Sequence, residues 1–432
     1  MKLSIRHLMG GLLLLALPLL FTSCEGALDD VFGKWSRPPK SGSIRFSTTS
    51  RTIEITESNF VNPLTVVGDG KVTYSSDDPT IAEVDPETGA VTPQKTGTVT
   101  ITAKVADTEN YVYHKNEISY TLKLNCSYMK WDDANKKLVE ADVEDGALLM
   151  PDESELETEP SGFLSYKLLP EGTYIINRDM TLTERILLRG NVAIILCDGV
   201  TLSMNGPISG TDDRTSPTQY HPLSIYGQSG NSGKLVSTSM ISSVEPLNIY
   251  GGQIDITLGN PAGGVIEKAF GMNVYGGTVN AVNTSDRGGT GIQLAIDGKL
   301  TIYGGKVFAK GSAGNYQAGY GISNILHHTA TSSIDNAYVE VNGGSLVAIS
   351  QRNDDGSAGI RGHLTVNGGS VEVKDIIPGT GEIGAASRAA VSGSITVGTG
   401  VSLQGKHNSD SDWVEITDNS ASPKKQHIRT KP

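Results

Sequence analysis

The stretch LNIYGGQIDITL at 247–258 is followed by MNVYGGTVNAV at 272–282 and LTIYGGKVFAK at 300–310. Related copies read LSIYG at 223–227, VEVNGG at 339–344 and LTVNGG at 364–369. An earlier copy, ILCDG, spans 195–199, and a later one, ITVGTG, spans 395–400. Successive copies start 28, 24, 25, 28, 39, 25 and 31 residues apart. Most copies place a polar residue between two apolar ones and then turn at glycine, so Leu247 and Ile249 face inward and Asn248 outward. A second short strand follows each turn, as in GKVFAK from Gly305 and GSVEVK from Gly369. One such strand buries no face alone, but stacking the repeats about 4.8 Å apart pairs each strand with the next and closes a continuous apolar column. A period near 25 residues with no helical pattern predicts an all-β fold, with a right-handed parallel β-helix (a solenoid) over 165–405. A β-sandwich array is the alternative, and it fits less well because the same register would not recur at coil spacing.

Composition agrees. The chain has 432 residues, enough for two or three domains, and 51 glycines without a collagen period, which calls for many turns. The formal net charge of −12, with no basic patch, excludes nucleic acid as a partner, since phosphate binding requires a basic surface. Three cysteines, Cys24, Cys126 and Cys197, form neither a disulfide framework nor a CxxC pair. By the repeat register Cys197 takes an inward position equivalent to Ile225 and reads as a buried thiol. Cys126 lies at a domain junction, and a bond between the two is left open.

The N-terminus reads as an export signal. Lys2 and Arg6 precede an apolar run from Leu8 to Leu20, too short to span a bilayer, where about twenty residues are needed. Phe21, Thr22, Ser23 and Cys24 follow, and FTSC resembles the lipobox of bacterial lipoproteins, in particular those of Bacteroidota. The resemblance implies cleavage after residue 23 and a diacylglycerol thioether on Cys24, because only a thiol serves as lipid acceptor. The family prefers Leu three places before the cysteine, where this chain has Phe21. It implies a protein on the cell outer membrane or cell surface, with the bilayer as a partner through Cys24. An ordinary signal peptide is the alternative.

Residues 24–42 read as a linker. From 43 to 125 short period-two runs alternate with Gly, Pro and Asp turns, which predicts a β-sandwich. The segment VTYSSDDPTIAEVDPETGAVTPQKTGTVTITAKV is similar to bacterial Ig-like domains of group 2, through Tyr74, Ser75, Ser76, Ile81, Ala82, Val84, Gly89, Val91, Thr96, Gly97, Thr98, Ile101 and Thr102. Such modules space or present other domains, and some take part in adhesion. Residues 126–164 read as a junction that caps the open end of the helix, with Trp131 and a solvated acidic loop, DESELETE. Residues 406–432 read as a C-terminal tail. Leu169, Pro170, Gly172 and Tyr174, with ILCDGVTL from Ile195 and SIYGQSGNSGKL from Ser224, resemble the opening coils of secreted carbohydrate-binding β-helix proteins of gut-type bacteria.

Tyr226, Tyr250, Tyr275 and Tyr303 share one register position in four consecutive repeats, followed by Asn342 and Asn367. As a ladder they suit the apolar faces of sugars, so they are the candidate carbohydrate-binding residues. A purely structural ladder is the competing reading. The longest interval holds Tyr316, Tyr320, His327 and His328, read as a protruding loop. Catalysis on such a fold needs clustered carboxylates, or calcium beside a basic residue. Asn283, Thr284 and Asp286, and separately Asp354, Asp355 and His363, faintly resemble polygalacturonase motifs. They lie several coils apart, and Ser285 interrupts the first. No metal or other cofactor is implied, and calcium has no supporting motif. The expectation is a non-catalytic surface protein that binds extracellular glycan or a host or neighbouring cell surface. A polysaccharide lyase or glycoside hydrolase, and a purely structural surface protein, are the alternatives.

Overall fold

The computed structural model describes residues 38–161, 164–211, 219–259, 263–314, 319–324, 337–351, 358–376, 389–407, 411–416 and 425–431. Cys24 and the export segment, and with them the lipidation reading, lie outside the described residues, as do Tyr316, His327, His328, Asp354 and Asp355.

The N-terminal unit is a β-sandwich. One sheet orders Ser50–Glu54, Glu117–Asn125, Gly97–Val105 and Val72–Ser76, and another orders Leu64–Val67, Lys40–Phe46 and Tyr111–Tyr113. Strand Gly97–Val105 alternates as period two requires, burying Val99, Ile101 and Ala103 while Thr98 and Lys104 face out. Those inward residues pack with Phe46, Val91, Tyr120 and Leu122 into one core. The Phe46 and Tyr120 rings meet edge to face at 4.8 Å between the sheets.

Beyond residue 147 the chain alternates between two long sheets, and each passage through both is termed a coil here. Strands Leu164–Ile176, Arg185–Leu196, His221–Gly227, Val244–Ile249, Gly264–Val274, Arg287–Ile302, Tyr338–Val341, His363–Val366 and Ile395–Val397 belong to the first sheet. Strands from Met180–Leu182 through Thr201–Met204, Lys234–Ser237, Gln253–Leu258, Thr278–Asn283, Lys306–Lys310 and Ser345–Gln351 to Ser370–Ile376 form the second. Both runs pair in parallel. Leu223, Leu247, Met272, Leu300, Val339 and Leu364 fall in one register column, as the repeat predicts. Their neighbours two residues on, from Ile225 to Val366, fall in a second. Both columns are buried, within one hydrophobic cluster that runs from Met150 to Ile428. Asn248 and Asn273 point outward between them and hydrogen-bond along the stack at 2.9 Å.

The turn after each first-sheet strand explains the double glycine. Gly277 and Gly305 have φ of +74° and +72°, a region costly to residues with a Cβ. A Cβ on Gly277 would also lie 2.5 Å from the Gly252 carbonyl oxygen, and one on Gly305 2.6 Å from that of Gly277. The backbone of the preceding coil fills the space a side chain would need.

Three expectations require correction. The C-terminal residues are no simple tail: His427–Thr430 pairs antiparallel with Ser370–Ile376, and Leu403–Lys406 and Val414–Ile416 extend that edge. The outer side of Ser370–Ile376 is thereby paired rather than left as the edge. The acidic stretch at 152–159 is solvent-exposed at most of its residues, as expected, but it is no plain loop, being tied to the first coils by cations and N–H groups. Asp152 accepts from Arg178 at 2.6 Å, Glu159 pairs with Arg189, and Thr158–Ser161 forms a strand against Leu164–Ile176. Cys197 is not equivalent to Ile225, whose partner is Ile194, three residues earlier. An offset of three carries a side chain to the other face of a strand, and Cys197 belongs to a separate cluster at the junction.

Candidate functional site

The four tyrosines do form a ladder. Tyr226, Tyr250, Tyr275 and Tyr303 stack with ring centroids 4.5, 4.6 and 4.9 Å apart and ring planes within 4° of parallel. That interval is the spacing of paired strands, so each coil contributes one ring. In the two preceding coils the same column is occupied by Ile195, the register partner of Tyr226, and by Ile175.

The ladder is partly covered. The segment after the sandwich is a hairpin of Ser127–Asp132 against Lys137–Asp142. It lies along the column instead of over the end of the stack. Tyr128 meets Tyr226 edge-on at 5.0 Å, and Trp131 packs on Tyr275 at 5.0 Å and Tyr303 at 5.6 Å. The dimensions match: three strand residues span about 10 Å, against two ladder steps of 4.5 and 4.6 Å. Leu138, the cross-strand partner of Trp131, sits where a Cβ on Gly276 would lie, at 2.3 Å. Burial raises the phenols of Tyr226, Tyr250 and Tyr275 above the ordinary tyrosine range, and for Tyr250 and Tyr275 neighbouring phenols and Asp133 of the hairpin add to this. Sugar stacking requires open ring faces. Here neighbouring ring faces meet one another while Tyr128 and Trp131 pack against Tyr226, Tyr275 and Tyr303, so the four rings are partly exposed and not a fully open aromatic platform. The end-cap role falls to Leu148–Leu149, which pairs in parallel with the first long strand.

The junction is equally well knit. Thr96 of the sandwich is buried, donates its Oγ1 hydroxyl to the Glu144 carbonyl at 2.9 Å and accepts the Ala147 N–H at 2.9 Å. Its own N–H reaches the Ala147 carbonyl at 2.8 Å. Ile55, Cys126, Ala147, Ile175, Ile195 and Cys197 close the apolar part of the contact.

A concavity among the described residues lies elsewhere, where successive coils turn into the first sheet. It is a cleft of about 710 Å³ lined by Tyr166, Thr183, Glu184, Arg185, Asn205, Ser209, Thr238, Ser242, Ser243, Glu267 and Lys268, among others. Its floor is a register column in which Ser209, Ser242 and Glu267 stand side by side on paired strands. Ser243 and Lys268, one coil apart, hold φ of +55° and +56°. Left-handed backbone at non-glycine residues costs about 1–2 kcal/mol each. One wall is tied by Glu153, whose carboxylate accepts from the Thr183 N–H and hydroxyl at 2.7 Å and the Glu184 N–H at 2.6 Å. Burial pushes the Glu153 carboxyl up, but these donors outweigh it and hold it below the usual glutamate range.

Of the faint catalytic motif, Asn283 is engaged in contacts that hold the local backbone. Asn283 is buried, donates to the Gly263 carbonyl at 2.9 Å, and accepts from the Ser285 N–H at 2.9 Å and the Ser312 hydroxyl at 2.8 Å. Thr284 and Asp286 are exposed beside it. His363 stacks on Tyr338 at 5.1 Å and bonds Ser394 at 2.7 Å, and Tyr320 accepts from Arg361 at 3.1 Å. No group of three or more His, Cys, Asp or Glu suited to a metal occurs among the described residues. Neither the cleft nor the hairpin is among the expectations drawn from sequence. Tyr128, Trp131 and Leu138, flanking the polar turn DDANKK, were the available signal for the hairpin. The cleft draws on single polar residues from separate coils, which no local motif marks.

Residues 46–114 match the family model described as bacterial Ig-like domain (group 2). A domain of this kind suggests a surface or adhesion-type role for the chain that carries it. No curated protein and no solved structure matches the chain.

Proposed function

We propose that the chain is an exported protein, lipid-anchored through Cys24, in which the Ig-like domain holds a parallel β-helix away from the membrane to bind extracellular carbohydrate without turning it over. The alternation of the chain between two parallel sheets, with ring stacking at strand spacing, supports the β-helix reading. The observation that carries the ligand assignment is the cleft at Ser209, Ser242 and Glu267. Its size falls within the range of ligand sites. Hydroxyl, amide and carboxylate groups line it, the partners a polyhydroxylated ligand needs once water is displaced. Its formal charges balance, Glu184 and Glu267 against Arg185 and Lys268. A neutral glycan satisfies that lining, whereas a polyanion would leave the two glutamates opposed. Tyr166 offers one aromatic wall.

The test is a screen of the mature protein on neutral and acidic glycans. Retention of a neutral class is expected, reduced at least tenfold by joint Asn205→Ala and Glu267→Gln substitution. Tyr250→Phe, behind the hairpin, is expected to leave retention unchanged. No retained glycan, or equal retention by the double variant, would overturn the assignment. Release of sugar from a bound polysaccharide would favour the enzymatic alternative.

A further inference from the structure

Cys126 directly follows the last sandwich strand, Glu117–Asn125, and Cys197 directly follows the first-sheet strand Arg185–Leu196. Both are buried and unbonded. They share one apolar cluster with Ile55, Ala147, Ile175 and Ile195, and the two thiols are close enough to influence one another. The Cys126 thiol also reaches the Ser127 carbonyl at 3.6 Å, and Gln228 Nε2 approaches its sulfur at 4.0 Å. Among the described residues these are the only cysteines, so neither has a competing intramolecular partner there.

We infer that Cys126 and Cys197 are a cross-linking site, joined as a disulfide in the exported protein, which welds the Ig-like domain to the repeat region. Both Sγ–H bonds break and one Sγ–Sγ bond forms. The two electrons and two protons pass to an external disulfide, which leaves as two thiols. Such donors act in the compartments outside the cytoplasm, so this inference rests on the export reading. The neighbouring thiol and burial push the Cys126 thiol well above the usual cysteine range, so little thiolate is present in the folded chain. Both sulfurs are buried at the junction, so a bond closed there is shielded from reductants. With the Thr96 hydrogen bonds, a covalent tie at this junction restricts hinging between the two units.

The experiment uses the full chain recovered from the membrane fraction of a bacterial host, alkylated in denaturant without reductant, digested and weighed. A second sample is unfolded with reductant and refolded in mixed reduced and oxidised glutathione before the same treatment. The expected result is a Cys126 peptide joined to a Cys197 peptide, 2 Da lighter than their sum, in both samples. Joined peptides in the refolded sample alone would uphold the site and overturn the export reading. Separately alkylated peptides in both samples would overturn the inference.

Discussion

Alanine at Gly277 should destabilise the repeat region far more than alanine at Gly199, although both glycines have nearly the same backbone conformation. Their φ angles are +74° and +79°, so both substitutions carry the left-handed penalty of about 1–2 kcal/mol. The surroundings differ. A Cβ on Gly199 meets nothing within 4 Å, while one on Gly277 lies 2.5 Å from the Gly252 oxygen and 2.8 Å from the Gly251 carbonyl carbon. Those atoms are backbone of the previous coil, held by strand pairing, and cannot swing aside as a side-chain tip would. Overpacking of this kind adds about 1–3 kcal/mol, for a total near 2–5 kcal/mol at Gly277. The difference between the variants corresponds to roughly 2–12 °C in melting temperature for a region of this size. Circular dichroism melts of the two variants beside the parent, under one buffer and scan rate, measure it. Equal losses would refute the reasoning, because they would mean that coil-to-coil contact at the turn adds nothing to the dihedral penalty.

Trp131→Ala with Tyr128→Ala should free the hairpin from the ladder, and limited proteolysis should then cut within 132–137 at least tenfold faster; an unchanged rate would mean that the aromatic contacts do not hold it. Burial, with a smaller contribution from Tyr74, pushes the Tyr120 phenol up to about 12. Between the ordinary value near 10 and about 12 the folded state binds more protons than the unfolded, so stability is complete below pH 10 and is lost as pH rises through 12. Absorbance of phenolate at alkaline pH, followed with sandwich unfolding, should show Tyr120 titrating late and together with unfolding. Cys24→Ala should abolish incorporation of radiolabelled palmitate, and unchanged labelling would remove the anchor from the proposed function.

Much of the architecture was legible in local sequence because its signals are local. Alternation of Leu247, Asn248 and Ile249 fixes which side chains face the core, and the paired glycines mark a turn that only glycine fits. The recurrence of Tyr226, Tyr250, Tyr275 and Tyr303 places four rings in one column, and the structure stacks them there. The Ig-like segment carries enough turn and strand residues in order to be read directly. What covers the column was decided by tertiary structure. Whether a tyrosine ladder is a binding surface or a docking rail depends on Tyr128 and Trp131, roughly a hundred residues away or more, and strand periodicity is silent on contacts at that separation. The same holds for Cys197. Its register was misread by three residues because an irregular first copy lacks the YGG landmark, and its neighbour Cys126 comes from the end of another domain. The cleft at Ser209, Ser242 and Glu267 exists only because parallel pairing brings one polar residue from each coil into line. Period and face are properties of a strand and travel with its sequence, whereas exposure and concavity are properties of what packs against it, and only the folded chain determines them.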